Sequence, residues 1–278
     1  GNGLEKITFN TSLFHLLPIR PHDLEYAGNN IRAIFQDSNG NIWVGSKDKI
    51  IRVYDKKLRY LGSLTSQGTI SLNSTEELGM AYSFFEDHEG TIWIGTKGKG
   101  LIAARCQHTA SLKFQLYHYM ADDKDLYSLS GNEIYSLYED TNQRLWIATF
   151  EGGVNYLDLK TAMRFPRFIN HRNQLKNYPI TQCYRTRFIT GDELGDIWIG
   201  SSAGLLMCNN PNSNPEEIKF RHFSRIPGDI HSLSNNDVHS IFFSKNKEMY
   251  VATFGGGFNK LISLENEEVK FQPYTTKD

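Results

Sequence analysis

Apolar residues in this chain fall into short, strand-length runs separated by tight polar turns, and the runs recur in register. The stretch Ile31-Arg-Ala-Ile-Phe-Gln-Asp37-Ser-Asn-Gly40-Asn-Ile-Trp43-Val-Gly45-Ser46 is repeated over 81–96, 134–149, 186–201 and 238–253. Each copy is an apolar strand, a four-residue polar turn and a second apolar strand, which is a β-hairpin pattern and not a helical one. The second strand carries a large aromatic at one place, Trp43, Trp93, Trp146, Trp198 and Tyr250, at intervals of 50, 53, 52 and 52 residues. That period is too long for leucine-rich or helical-hairpin repeats and suits a four-stranded propeller blade. The pattern predicts an all-β fold, a β-propeller with about five complete antiparallel four-stranded blades.

The turns carry their own chemistry. Asp37, Asp87, Asp140 and Asp192 open them, where a short carboxylate accepts backbone N–H groups and pins the reversal. Gly40, Gly90 and Gly195 close them, where a positive φ is expected. Gln143 replaces the glycine in the third copy, and Ser244 and Lys247 replace the pair in the fifth. Those two turns are expected to be looser or of another type. The aspartates sit in separate blades at one structural position, so they read as scaffold and not as a metal site. After the aromatic come a small residue (Gly45, Gly95, Ala148, Gly200, Ala252), a Ser or Thr and a loop, glycine-containing in four of the five copies, then a third strand. Small residues let neighbouring sheets approach while the large ring fills the wedge between blades. Fourth strands are expected over 59–64, 113–119, 164–169, 219–223 and 270–274, with charges and prolines suited to an outer edge. The links Asp125-Leu-Tyr-Ser-Leu-Ser-Gly-Asn132 and Asp229-Ile-His-Ser-Leu-Ser-Asn-Asn236 match at a separation of 104 residues.

These residues carry a family likeness. The run NNIRAIFQDSNGNIWVGS and its copies, each followed by a loop and an apolar strand, resembles the two-component regulator propeller repeat over essentially the whole chain. The resemblance implies seven-bladed propellers, usually paired in tandem, in the periplasmic sensor region of hybrid two-component regulators of glycan-degrading bacteria. It implies a carbohydrate ligand, and as partners the other propeller and the membrane-proximal domains of the same parent.

Residues 29–278 are expected to form five blades with boundaries near 29–78, 79–131, 132–178, 179–235 and 236–278. Residues 1–28 are expected to supply the last strands of a preceding blade, at 3–9 and 13–19, and a link. An open arc, or a homodimer through exposed blade faces, is the expected consequence. A net charge of -1 gives no basic stripe for a phosphate backbone and argues against nucleic acid. Apolar runs of strand length give no membrane-spanning segment. Cys106, Cys183 and Cys208 lack metal or disulfide spacing and read as buried free thiols. No cofactor is expected, and no nucleophile, zinc-protease or phosphate-loop motif points to catalysis.

Candidate ligand contacts come from the inner end of each blade, where propellers present a funnel. The second residue of each inner strand forms a predicted ring, Arg32, Tyr82, Tyr135, Arg187 and His239. On the same face lie Asn30, Asn132, Glu133, Asn236 and Asp237 leading into the inner strands, and Lys47, Lys97, Lys99, Phe150, Glu151 and Phe254 in the loops beyond the second strands. Phe150 and Phe254 beside glycine pairs suit the apolar face of a sugar, with Asn, Arg and Asp for its hydroxyls. Binding of an oligosaccharide is therefore the leading expectation. The alternatives are a protein-interaction or dimerisation scaffold and, more remotely, a propeller lyase or hydrolase.

Overall fold

The computed structural model describes residues 19, 25–109, 111–209, 214–265 and 268–275. The strand pair expected at 3–9 and 13–19 lies outside them, Ile19 excepted. The described chain folds into five antiparallel sheets, each a meander of consecutive strands. Blade 1 comprises Ile31–Gln36, Ile42–Ser46, Ile51–Tyr54, Tyr60–Leu64 and a short added strand, Ile70–Ser71. Blade 2 comprises Met80–Glu86, Ile92–Lys97, Leu101–His108 and Lys113–Tyr119; blade 3, Ile134–Glu139, Arg144–Thr149, Gly153–Asp158 and Phe168–Asn170. Blade 4 comprises Thr186–Gly191, Ile197–Ser201, Gly204–Cys208 and Arg221–Phe223, and blade 5, Val238–Phe243, Met249–Thr253, Gly257–Glu265 and Glu268–Tyr274. The first strands of successive blades lie against one another, which makes them the inner strands of a propeller arc.

Each gap between blades holds a separate core. Trp43 packs with Ala81, Ile92, Ile94 and Ile102 of blade 2, and Trp93 with Ile134, Leu137, Leu145 and Ile147 of blade 3. Trp146 and Trp198 repeat this against blades 4 and 5. All four indoles are buried. Burial of a side chain this large contributes about 3 kcal/mol, so the four wedges are the main adhesive between sheets that share no backbone ladder. Close approach needs the small neighbour: a Cβ on Gly45 would meet the Ala81 carbonyl oxygen at 2.6 Å, and one on Gly200 would meet Val238 Cγ1 at 2.8 Å.

The turns explain why an Asp recurs six residues before the Trp. Besides accepting backbone N–H groups, the carboxylates of Asp37, Asp87, Asp140 and Asp192 accept the indole Nε1–H of Trp43, Trp93, Trp146 and Trp198 at 2.9, 2.7, 2.7 and 2.9 Å. The aspartate thus ties the turn to the wedge. The looser turns expected in blades 3 and 5 do not occur. Gln143 and Lys247 adopt φ of 61° and 65°, beside 85°, 80° and 83° for Gly40, Gly90 and Gly195. The same backbone bonds close them, Gln143 N–H to Asp140 O at 3.0 Å and Lys247 N–H to Ser244 O at 2.9 Å. The flanking strands impose the turn, and the non-glycine residue bears the left-handed conformation.

Two further expectations need correction. The fourth strand of blade 3 is not at 164–169 but at Phe168–Asn170. Pro166 has no N–H for a ladder, and a turn with Arg164 N–H on Thr161 O uses the preceding residues. Cys106 is half-buried and not fully buried, while Cys183 and Cys208 are buried; all three are free thiols. The matching links owe their likeness to an asparagine in the third strand of each blade. Asn155 Oδ1 accepts Ser130 N–H at 3.0 Å, and Asn259 Oδ1 accepts Ser234 N–H at 2.8 Å, both from fully buried side chains.

Candidate functional site

Within each blade the first strand runs toward the Asp turn and the second returns, so residues leading into the first strand and out of the second share the opposite end. One irregularity there recurs in all five blades. The ladder between first and second strands skips one residue, between Ile31 and Ala33, Ala81 and Ser83, Ile134 and Ser136, Thr186 and Phe188, and Val238 and Ser240. The skipped residues are Arg32, Tyr82, Tyr135, Arg187 and His239, the same five positions that make the predicted ring. Each is the extra residue of a β-bulge, a device that breaks strand alternation and re-aims a side chain.

The structure brings these five into one ribbon. The Arg32 guanidinium lies 5.9 Å from the Tyr82 ring centroid, and Tyr82 lies 4.9 Å from Tyr135. Tyr135 stacks on Phe150 at 5.0 Å, with the Arg187 guanidinium 5.0 Å from that ring. Arg187 makes a two-pronged ion pair with Asp237, Nε–Oδ1 2.7 Å and Nη2–Oδ2 3.1 Å, and Asp237 lies 3.4 Å from His239 Nε2. His239 stacks on Phe254 at 5.4 Å. Burial, with Tyr82 and Glu133 beside it, pushes the Tyr135 hydroxyl above its ordinary value, so it remains a neutral donor and acceptor.

The loop residues divide into two kinds. Phe150 and Phe254 lead out of their second strands, each N–H bonded to the lead-in carbonyl, Glu133 and Asp237, at 2.8 Å. Phe150 is half-buried between Tyr135 and arginine, whereas Phe254 is 68% exposed. Asn132 and Asn236 use their side-chain oxygens on the link backbone, accepting Ala121 N–H at 2.8 Å and Arg225 N–H at 2.6 Å. They shape the rim. Lys97 comes within 5.9 Å of the Tyr82 ring.

Sequence reasoning passed over Tyr184 and Arg185. Counting back one residue from the start of the repeat places Arg185 at the lead-in position held elsewhere by Asn30, Met80, Glu133 and Asp237. Its guanidinium lies 5.2 Å from the Phe150 ring and 5.0 Å from the Tyr184 ring. Across lead-in, bulge and lead-out positions the arc carries five cations, Arg32, Lys47, Lys97, Arg185 and Arg187, against two carboxylates, Glu133 and Asp237. This end is therefore locally electropositive on a chain of net charge -1. A cleft of about 580 Å³ opens beside Asn30, Ile31 and Lys47 at the blade 1 end of the ribbon. Among the described residues no group of three or more His, Cys, Asp or Glu converges to hold a metal ion.

The profile of the two-component regulator propeller family matches residues 25–48, 78–98 and 128–151, the hairpins of blades 1, 2 and 3. Three of the chain's five repeats thus match the two-component regulator propeller profile. Blades 4 and 5 lie beyond the matched residues and continue the same register. No curated protein matches the chain by sequence. Among solved structures it is similar to the extracellular domain of the hybrid two-component system BT3049 from B. thetaiotaomicron, at 21% identity and TM-score 0.62, over 88% of this chain and 30% of that one. PorZ, a surface component of the type-IX secretion system of Porphyromonas gingivalis, is 16% identical with TM-score 0.61, over 91% of this chain and 34% of PorZ. A catalytically inactive virginiamycin B lyase from Staphylococcus aureus is 15% identical with TM-score 0.57, over 89% and 71%. The chain thus spans about a third of the length of the first two, and at these identities the likeness is one of fold.

Proposed function

We propose that this chain is the ligand-binding part of an extracytoplasmic sensor region of a hybrid two-component regulator, and that its ligand is an oligosaccharide. The observation that carries the reading is the ribbon of bulge residues. Five blades each spend a backbone irregularity on turning an arginine, tyrosine or histidine out of the ladder, and the ribbon ends on an exposed phenylalanine. Such a surface offers ring faces to sugar C–H groups and directional donors to hydroxyls. The family, and the extracellular domain of the hybrid system to which the chain is similar, support a sensor and its side of the membrane. Among the described residues no helix is long and apolar enough to cross a membrane. In this reading the segment binds without catalysing, and transmits by binding one arrangement of the sensor more tightly than another.

Titration calorimetry and thermal-shift measurements against a panel of neutral and acidic oligosaccharides test the reading. Stabilisation by at least one glycan, lost in both Tyr135→Ala and Phe254→Ala, is expected. A glycan that still stabilises both variants would place the site elsewhere, and a panel without any binding would overturn the reading.

A second reading is favoured by a separate observation. Ile34 is 68% exposed, whereas its counterparts Leu137, Ile189 and Ile241 are 8, 2 and 4% exposed, and Phe242 on blade 5 is 62% exposed. The end faces of the described arc are therefore apolar and bare. They suit a protein contact, with other parts of the sensor or with a second copy, and sedimentation of the chain beside Ile34→Glu would report it.

A further inference from the structure

The unabsorbed feature of the ribbon is Arg185. Arg52 is balanced by Asp48, Arg144 by Asp140, Arg187 by Asp237, and Arg172 by the carbonyls of Asp122, Asp125, Ser128 and Leu129, whereas Arg221, on the outer strand of blade 4 and away from the ribbon, shares with Arg185 a buried guanidinium nitrogen without a partner. Arg185 makes no ion pair among the described residues, and its Nε–H is buried with no hydrogen-bond partner. A desolvated donor on a permanent cation is costly to leave unmade. The cost is borne at the mouth of the inner strands, with the guanidinium held beside two aromatic rings, an arrangement that fixes a planar fork.

We propose that this site takes an acidic oligosaccharide, with a carboxylate or sulfate group of the sugar received by the Arg185 guanidinium. The inference rests on the oligosaccharide reading above and narrows its ligand class. Two features support it. First, a planar oxyanion matches the guanidinium fork in a way a neutral hydroxyl does not, and would satisfy the buried donor. Second, Asp237 already neutralises Arg187, so Arg32, Lys47, Lys97, Lys99 and Arg185 stand against the two carboxylates Glu133 and Glu151, and the surrounding field attracts anions. Tyr184, 39% exposed beside Arg185, and Phe254 remain as faces for the sugar rings.

The test uses the full chain and three probes: tri-galacturonate, the uncharged β-1,4-galactotriose, and a sulfated chondroitin disaccharide. Tri-galacturonate or the sulfated disaccharide is expected to bind at least tenfold more tightly than galactotriose at low salt, and the preference of one over the other assigns carboxylate or sulfate. Affinity for the acidic probe is expected to fall severalfold on raising the salt tenfold. Arg185→Gln should cost at least tenfold toward the acidic probe and leave galactotriose unchanged. Arg185→Lys, which keeps charge but loses the fork, should fall between, and Arg221→Gln on the outer strand of blade 4 should bind as the parent does. Equal affinity for charged and neutral probes, or an acidic affinity untouched by Arg185→Gln in a folded variant, would overturn this inference while leaving the oligosaccharide reading standing. Absence of binding to all three would overturn the inference, and only silence across the wider glycan panel would also remove the reading beneath it.

Discussion

Replacing Asp140 by Ala tests whether the turn carboxylates are the tie between hairpin and wedge. Asp140 Oδ2 accepts Trp146 Nε1–H at 2.7 Å and Arg144 Nε–H at 2.8 Å, while Oδ1 accepts the N–H groups of Asn142 and Arg144 at 2.8 and 3.0 Å. Its side chain is 2% exposed and that of Arg144 is 11% exposed. Removing the carboxylate orphans a buried indole donor, at about 1–3 kcal/mol, and strips a nearly buried guanidinium of its counter-charge, for which about 3–5 kcal/mol is typical of a broken buried pair. The two losses overlap, since both are made by one oxygen, and a total of about 4–5 kcal/mol is expected. Asp87 is the internal control. It holds Trp93 and the N–H groups of Glu89 and Thr91 in the same geometry, with Thr91 where blade 3 has Arg144. Asp87→Ala should therefore cost only about 2–3 kcal/mol. Urea denaturation followed by tryptophan fluorescence, with midpoints and slopes compared, provides the assay. The double variant Asp140→Ala/Arg144→Thr should recover about 1–2 kcal/mol of the Asp140→Ala loss, because the orphaned charge has been removed with its partner. If Asp140→Ala costs no more than Asp87→Ala, or if Arg144→Thr deepens the loss, the carboxylate is not bearing the buried charge.

Two further outcomes follow from local geometry. Gln143→Gly should stabilise the chain by about 0.5–1 kcal/mol in the same assay, because the left-handed φ of 61° costs an L-residue more than the extra entropy glycine loses on folding; a loss of stability would show that the Gln143 side chain contributes more than its backbone costs. At Asp48, burial alone would raise the carboxyl, but hydrogen bonds from Arg52, Ser46 and Tyr26 outweigh it and hold the group at about 2, below the ordinary 3.8. The folded value lies below the unfolded one, so this contribution is fully present above about pH 4 and is lost as pH falls toward 2, amounting to about 1–2 kcal/mol after allowance for solvent screening. The stability difference between the parent and Asp48→Asn should shrink by that amount between pH 5 and pH 2, and a difference that stays constant would contradict the assignment.

Most of the architecture was legible because it is periodic and local. The alternation of apolar and polar residues sets hairpins, and the interval between aromatics sets the blade. The ring of five was reached from the same register, although for an incomplete reason: its place at the funnel end marked the second residue of each inner strand, whereas a bulge is what turns it out of the ladder. The asparagines behind the matching links had a signal that could have been used, an amide in the otherwise apolar strands Gly153–Asp158 and Gly257–Glu265. The turn type at Gln143 and Lys247 was misjudged because local preference for glycine was weighed without the strand twist that overrides it.

By itself the sequence determined that this is an array of four-stranded blades, which rings enter the wedges, and which side chains stand at the inner end. Only the tertiary structure decided their company. That Arg187 meets Asp237 fifty residues away while Arg185 meets no carboxylate among the described residues, and that Phe150 lies between Tyr135 and two guanidiniums while Phe254 stays open, depend on how far one twisted sheet is rotated against the next. A repeat encodes each blade through neighbouring residues, but the pairing of charges across blades is set by packing angles that the many buried contacts of each wedge fix together.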